Sequence, residues 1–292
     1  MGRKGKKEPS LIEQGFHVLM GTLQNYGRKY PVSNITLRSN SINLFGDESS
    51  SRHYVTYALV VLDELSTIEL EERWSGILFK YGSLDGRGFH ARKLFHLHAR
   101  QKSQWLELDL AEAWRMTHEL TDAIVSSGAS VYLGIVHRET FPTEMNLGNS
   151  RTTRLLDAHL FPFGYLAAVQ SAREEGILTI PGTEVRLWTD QVDTIELWGV
   201  GNIQVKRLMS QSGIEPEPIF DGAKELLIEA ADLIAYAAGR ALDVEQSKNK
   251  ENCLEVMRRL NVSFCQYYWC VNEKSTELMD RLNHCSFLGR DF

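Results

Sequence analysis

The chain has 292 residues, 43% of them hydrophobic, and a formal net charge of −6. That length and apolar content suit one large α/β domain with a full core and exclude a globally disordered chain. The acidic balance argues against a protein that coats nucleic acid non-specifically, although a local basic groove can coexist with an acidic total.

In chain order, residues 1–10 read as a flexible basic arm and residues 11–26 as a short helix stopped by Gly27. Residues 41–45 form a strand that runs into the polar stretch Gly46-Asp47-Glu48-Ser49-Ser50-Ser51. A second strand over 54–62 is rich in Val, Tyr and Thr, so the two predict an antiparallel hairpin. Ser66-x-x-Glu69 matches a capping box opening a helix to about Lys80, with Leu70, Trp74, Ile77 and Leu78 on its buried face. A glycine-rich stretch from Gly82 to Gly88 leads into Phe89-His90-Ala91-Arg92-Lys93-Leu94-Phe95.

Residues 110–126 predict a second helix, stopped by Gly128, and residues 130–136 an alternating strand. A long helix follows over 154–175, bent near Pro162, then a strand over 184–189 that ends at Asp190. Residues 195–210 are a further helical segment weakened by Gly199 and Gly201. Residues 216–220 are extended and residues 224–243 helical. Beyond Lys248 the pattern predicts two short helices around an aromatic, cysteine-containing segment. A hairpin followed by alternating helices and strands predicts a mixed sheet with helices on its faces. The domain limits are a basic arm with a short helix over 1–40, an α/β body over 41–243 and a C-terminal helical extension over 244–292.

Cys253, Cys265, Cys270 and Cys285 match no zinc spacing and are expected to be reduced, packed thiols. No secretory signal is visible, and no run approaches the ~18 apolar residues of a membrane span. The expectation is a cytoplasmic protein without a membrane partner.

Acidic residues at the ends of predicted elements point to chemistry. Asp47 and Glu48 follow one strand, Asp190 follows another, and Asp232 interrupts the apolar helix Leu226-Leu227-Ile228-Glu229-Ala230-Ala231-Asp232-Leu233-Ile234-Ala235-Tyr236. A buried carboxylate is costly unless it is paired or binds a metal. Two carboxylates at ~4 Å repel by about 4 kcal/mol at an effective dielectric near 20, so a site that gathers several normally holds a cation. Oxygen ligands suit Mg²⁺ or Mn²⁺, ions that assist phosphoryl chemistry.

Each candidate also has a plain structural reading. Asp47 and Glu48 suit a hairpin turn, Asp190 suits a helix cap, and Asp232 could pair with a buried arginine. His90, beside Arg92 and Lys93, could position a phosphate, relay a proton, bind metal or be a structural histidine. His90, His96 and His98 lack a zinc signature. Trp74, Trp105 and Trp114 suit the core better than base stacking.

Gly46-Asp47-Glu48-Ser49 before Tyr54-Val55-Thr56-Tyr57-Ala58-Leu59-Val60-Val61 resembles the opening Asp-Glu-Ser motif of the family known as domain of unknown function 3800. Phe89-His90-Ala91-Arg92-Lys93-Leu94 is similar to that family's His-Ala motif, Asp190 to its strand-end aspartate, and the segment around Ala231-Asp232-Leu233 to its closing helix. Phe220-Asp221-Gly222-Ala223-Lys224 sits where members often carry an Asp-Ser-Lys-like stretch. Ser50 stands where the family usually has glycine, and His137-Arg138 where many members have lysine.

The resemblance spans roughly residues 41–243 and implies a ribonuclease-H-like mixed sheet flanked by helices, with N- and C-terminal helical additions. It also implies a divalent-metal nuclease acting on RNA or DNA. Asp47, Asp190 and Asp232 would be metal ligands, with Glu48 and His90 lining the site. Arg92, Lys93 and Lys224 are the expected substrate contacts. The rival expectations are a non-catalytic module of the same fold that binds nucleic acid or protein, and an assembly protein whose two ends make homo-oligomer contacts.

Overall fold

The computed structural model describes residues 24–26, 40–138, 150–180, 182–189, 218–220, 226–243, 249–260 and 262–267. Its strands are β1 (Gln24–Tyr26), β2 (Ser41–Ser50), β3 (Tyr54–Asp63), β4 (Ser130–His137), β5 (Glu184–Thr189), β6 (Pro218–Phe220) and β7 (Val262–Tyr267). They form one mixed sheet in the order β1-β7-β4-β3-β2-β5-β6. The centre is antiparallel, β2 with β3 and β3 with β4. On one side β5 runs parallel to β2 and β6 parallel to β5; on the other, β7 runs parallel to β4.

Every residue of β3 is buried, as a central strand covered on both faces requires. The helices are α1 (Glu64–Lys80), the short α2 (Ala91–Phe95) and α3 (Leu97–Arg100), α4 (Leu110–Ser126), α5 (Ser150–Glu174), α6 (Ile228–Leu242) and α7 (Lys250–Arg259). Helices α1, α2, α4, α6 and α7 share a core with Phe45, Ala58, Val60 and Leu133 on one face of the sheet. Helix α5 packs on the other face, against Leu44, Tyr57, Leu59 and Tyr132. Trp74, Trp105 and Trp114 are all buried, as expected.

Four local expectations are corrected. β2 continues through Gly46, Asp47 and Glu48 to Ser50, because β3 pairs with it as far as Ser50↔Val55. The ladder outweighs the turn preference of those polar residues, and Asp47 and Glu48 lie within a strand. Helix α1 is capped by Asp63, whose carboxylate accepts the Ser66 N–H at 2.7 Å, rather than by Ser66 itself.

The ends of the described chain are not purely helical additions. Gln24–Tyr26, expected at the close of a helix, pairs antiparallel with β7. Among the described residues the tail beyond Lys248 contributes one helix and then β7, and the rest of the expected tail lies outside them. Val-Ser-Phe-Cys-Gln-Tyr is a β-favouring run, and pairing with it covers the edge of β4. The rest of the expected 11–26 helix, residues 11–23, and the expected helix over 195–210 lie outside the described residues.

Of the cysteines, Cys253 is buried without a disulfide, and burial pushes its thiol up to about 12. Among the described residues no helix is long and apolar enough to cross a membrane.

Candidate functional site

A cavity of about 510 Å³ opens where β2 ends, between that strand, the start of α2 and helix α6. β2 contributes Asp47, Glu48, Ser49 and Ser50. Side chains alternate along a strand, so Asp47 shares the face of Phe45, toward α6, while Glu48 shares the face of Leu44, toward α5. Asp47 Oδ1 accepts the backbone N–H of Glu48 at 2.8 Å. Phe161 of α5 also lines the cavity.

Helix α6 supplies a stripe. Asp232, Tyr236 and Arg240 follow one another at i, i+4 and i+8, the spacing that keeps side chains on one face, and all three line the cavity. Asp232 is 7% exposed. Its Oδ2 accepts the Ala91 N–H at 2.7 Å and faces His90 Nδ1 at 2.8 Å. A carboxylate is acceptor-only, so Nδ1 carries a proton, and Nε2 is an acceptor in the neutral ring and a donor in the imidazolium. The bond to Asp232 raises the His90 pKa, with burial opposing it. Oδ1 of Asp232 accepts no hydrogen bond among the described residues.

One turn earlier on α6, Glu229 does parallel work. Its Oε1 accepts the Gly88 N–H at 2.7 Å and its Oε2 accepts Trp74 Nε1–H at 3.0 Å. Burial pushes this carboxyl up to about 7 in spite of those donors, and the neighbouring Asp232 adds to the rise. Two carboxylates on one face of α6 therefore fasten the segment from Gly88 to Ala91, which carries His90 to the cavity.

The cavity lining also holds basic residues. Arg92 and His96 are one turn apart, with the His96 N–H on the Arg92 carbonyl at 3.1 Å, and both line the wall facing Arg240. Burial, then Arg240 and Arg92, hold the His96 imidazole below its ordinary value.

Asp47, Glu48, His90, Arg92 and Asp232 are thus brought together. Lys93 is exposed and is not part of the cavity wall. Asp190 and Lys224 lie outside the described residues, although Thr189, which precedes Asp190, pairs with Gly46, which precedes Asp47. Among the described residues no group of three or more His, Cys, Asp or Glu side chains is placed to hold a metal ion.

Sequence reading passed over Glu229, Tyr236 and Arg240 as site residues and considered His96 only for zinc. The stripe at i, i+4 and i+8 on α6 was the available signal. What concealed it was the apolar composition around it, which reads as core. No protein-family model matches the chain, and no curated protein matches it.

Proposed function

We propose that this protein is a divalent-metal-dependent nuclease with a ribonuclease-H-like fold that hydrolyses phosphodiester bonds in RNA or DNA. The observation that carries the reading is the cavity itself. It sets Asp47, Glu48 and Asp232 against His90 and Arg92 in one space open to a ligand. The antiparallel β2-β3-β4 set, extended from β2 by parallel β5 and β6, supports the fold part of the proposal. The resemblance to domain of unknown function 3800 belongs to the same proposal.

Mg²⁺ or Mn²⁺ fits the donors present. Such ions are held by one or two carboxylates plus waters and substrate phosphates, so Asp47 and the open Oδ1 of Asp232 suffice without a third described ligand; Asp190 would complete the set. When bound, the ion would neutralise phosphate charge and activate water.

The chain's own residues orient the reaction. Asp232 fixes the His90 ring through Nδ1, which leaves Nε2 to hold or deliver a proton beside the phosphate. Glu48 would orient a water or serve as a further ligand. Arg92 would attract the nucleic-acid backbone.

Calorimetry with Mn²⁺ on wild type and Asp232→Asn tests the reading, followed by cleavage assays on labelled RNA and DNA. Binding weakened more than about tenfold in the variant, with metal-dependent cleavage by wild type, is the expected result. Equal Mn²⁺ binding by both proteins would place the metal elsewhere and sink the site.

A second reading has its own observation. Asp232 Oδ2 already accepts two donors that tie α6 to α2, as a structural fastening in a non-catalytic nucleic-acid-binding module would. Nucleic-acid binding without Mn²⁺ binding or cleavage would favour that reading.

A further inference from the structure

We propose that Arg92, His96 and Arg240 form a phosphate subsite distinct from the carboxylate end of the cavity, which grips a backbone phosphate of a single-stranded nucleic acid. The inference rests on the nucleic-acid part of the reading above, and it adds where the strand is held and by which residues.

Three observations carry it. The first is placement. Arg92 of α2, His96 in the extended break that follows α2, and Tyr236 and Arg240 at i and i+4 of α6 all line the same cavity. The eight residues from Asp232 to Arg240 correspond to about 12 Å of helix, so Arg240 reaches a different group of a ligand from the one beside Asp232.

The second is charge. Arg92 and Arg240 sit close enough to His96 to depress its protonation. Neither arginine forms an ion pair with a carboxylate among the described residues. Like charges gathered without a counter-ion are unfavourable alone and become favourable around an anion. Guanidinium groups match the oxygens of a phosphate through paired N–H donors.

The third is rigidity. The Arg240 guanidinium carbon lies 5.4 Å from the Tyr236 ring centroid, a cation–π distance. Tyr236 stacks on Phe95 at 5.5 Å, and Phe95 stacks on Trp114 at 4.1 Å. The ring pile is buried and holds Arg240 at the wall before any ligand arrives.

Equilibrium binding of a fluorescein-labelled tetrathymidylate, measured in EDTA over a range of salt, tests the subsite without any metal or activity. Wild type should bind, with an affinity that falls as salt rises. Arg240→Gln and Arg92→Gln should each weaken binding by about tenfold, the loss of one charge-assisted contact. Each should also reduce the slope of log K against log salt by about 0.7.

Arg258→Gln, on α7 and outside the cavity lining, where Arg258 pairs with Glu251, should change neither. Arg92 is exposed, so its variant reports even where Arg240→Gln disturbs packing on Tyr236. No binding by wild type at low salt, or affinity and slope unchanged in both cavity variants, overturns the subsite. Arginine-dependent binding by a protein that takes up no Mn²⁺ upholds the subsite while sinking the nuclease reading; Mn²⁺ uptake without oligonucleotide binding does the reverse.

Discussion

The Tyr57 hydroxyl crosses over the β2 glycine, Gly46, and donates to Thr189 Oγ1 on β5 at 3.0 Å. A Cβ built on Gly46 would meet the Tyr57 ring carbons at 2.9 Å. One side chain from β3 thereby reaches across β2 to β5 at Gly46↔Thr189, the pair beside Asp47. Burial raises the Tyr57 pKa well above its ordinary value, so the hydroxyl stays a donor across the working range.

Gly46→Ala should cost about 1–3 kcal/mol as overpacking against Tyr57. Tyr57→Phe should cost about 1 kcal/mol for the lost hydrogen bond. Urea denaturation measures both. A Gly46→Ala protein as stable as wild type would show that the ring moves aside freely and does not brace the strand.

Glu229 should make stability depend on pH. The unfolded carboxyl ionises near its ordinary 4.5, while the folded one keeps its proton to about 7. Between those values the folded state binds more protons, so stability is full below 4.5, falls as pH rises through about 7 and levels above it. The total is about 3 kcal/mol at most. Glu229→Gln should flatten that window, at a cost of about 1–3 kcal/mol for the Trp74 or Gly88 N–H left without an acceptor. Urea midpoints from pH 4.5 to 8 decide it, and parallel slopes for the two proteins would remove Glu229 as the cause.

His90 and Asp232 should act as a unit. If the protein cleaves nucleic acid, His90→Ala should lower turnover by roughly 10²-fold, the scale of a positioned acid or base. In a double-mutant cycle His90→Ala with Asp232→Asn should lose less than the sum of the single losses. Strict additivity of the two losses in single-turnover rates would mean that Asp232 does not work through the imidazole.

Two glycines at helix–sheet contacts should respond differently. A Cβ on Gly134 of β4 would collide with the Gly164 carbonyl of α5, backbone that cannot swing away. A Cβ on Gly239 of α6 would meet Thr56 Oγ1 at 3.4 Å and Ser51 Cβ at 3.7 Å, ordinary contact distances. Gly134→Ala should be destabilising by at least about 1–3 kcal/mol. Gly239→Ala should range from neutral to about 1 kcal/mol stabilising, through helix propensity. Thermal melts that rank the two the other way would refute the packing argument.

Much of the body was legible locally. Leu110–Ser126 and Glu184–Thr189 have the predicted limits, and for the helix periodicity followed by Gly128 is a local signal. Asp232 stood out because a carboxylate within Leu, Ile and Ala demands a partner wherever the chain goes.

The same reading ended β2 at Phe45, since polar residues look like a turn until β3 is seen to pair with them. It also missed that the tail returns as a strand beside β4, a pairing across more than a hundred residues that no local pattern encodes.

The sequence by itself determined which segments are apolar, which alternate at period two or 3.6, and that a few charges sit where burial is costly. Only the tertiary structure decided which of those charges meet. It brought His90 to Asp232 across 142 positions, set Glu229 on Trp74 and Gly88, and placed Arg240 opposite Arg92. A side chain's partners depend on how helices and strands pack, and packing is settled by long-range shape and burial rather than by neighbours along the chain.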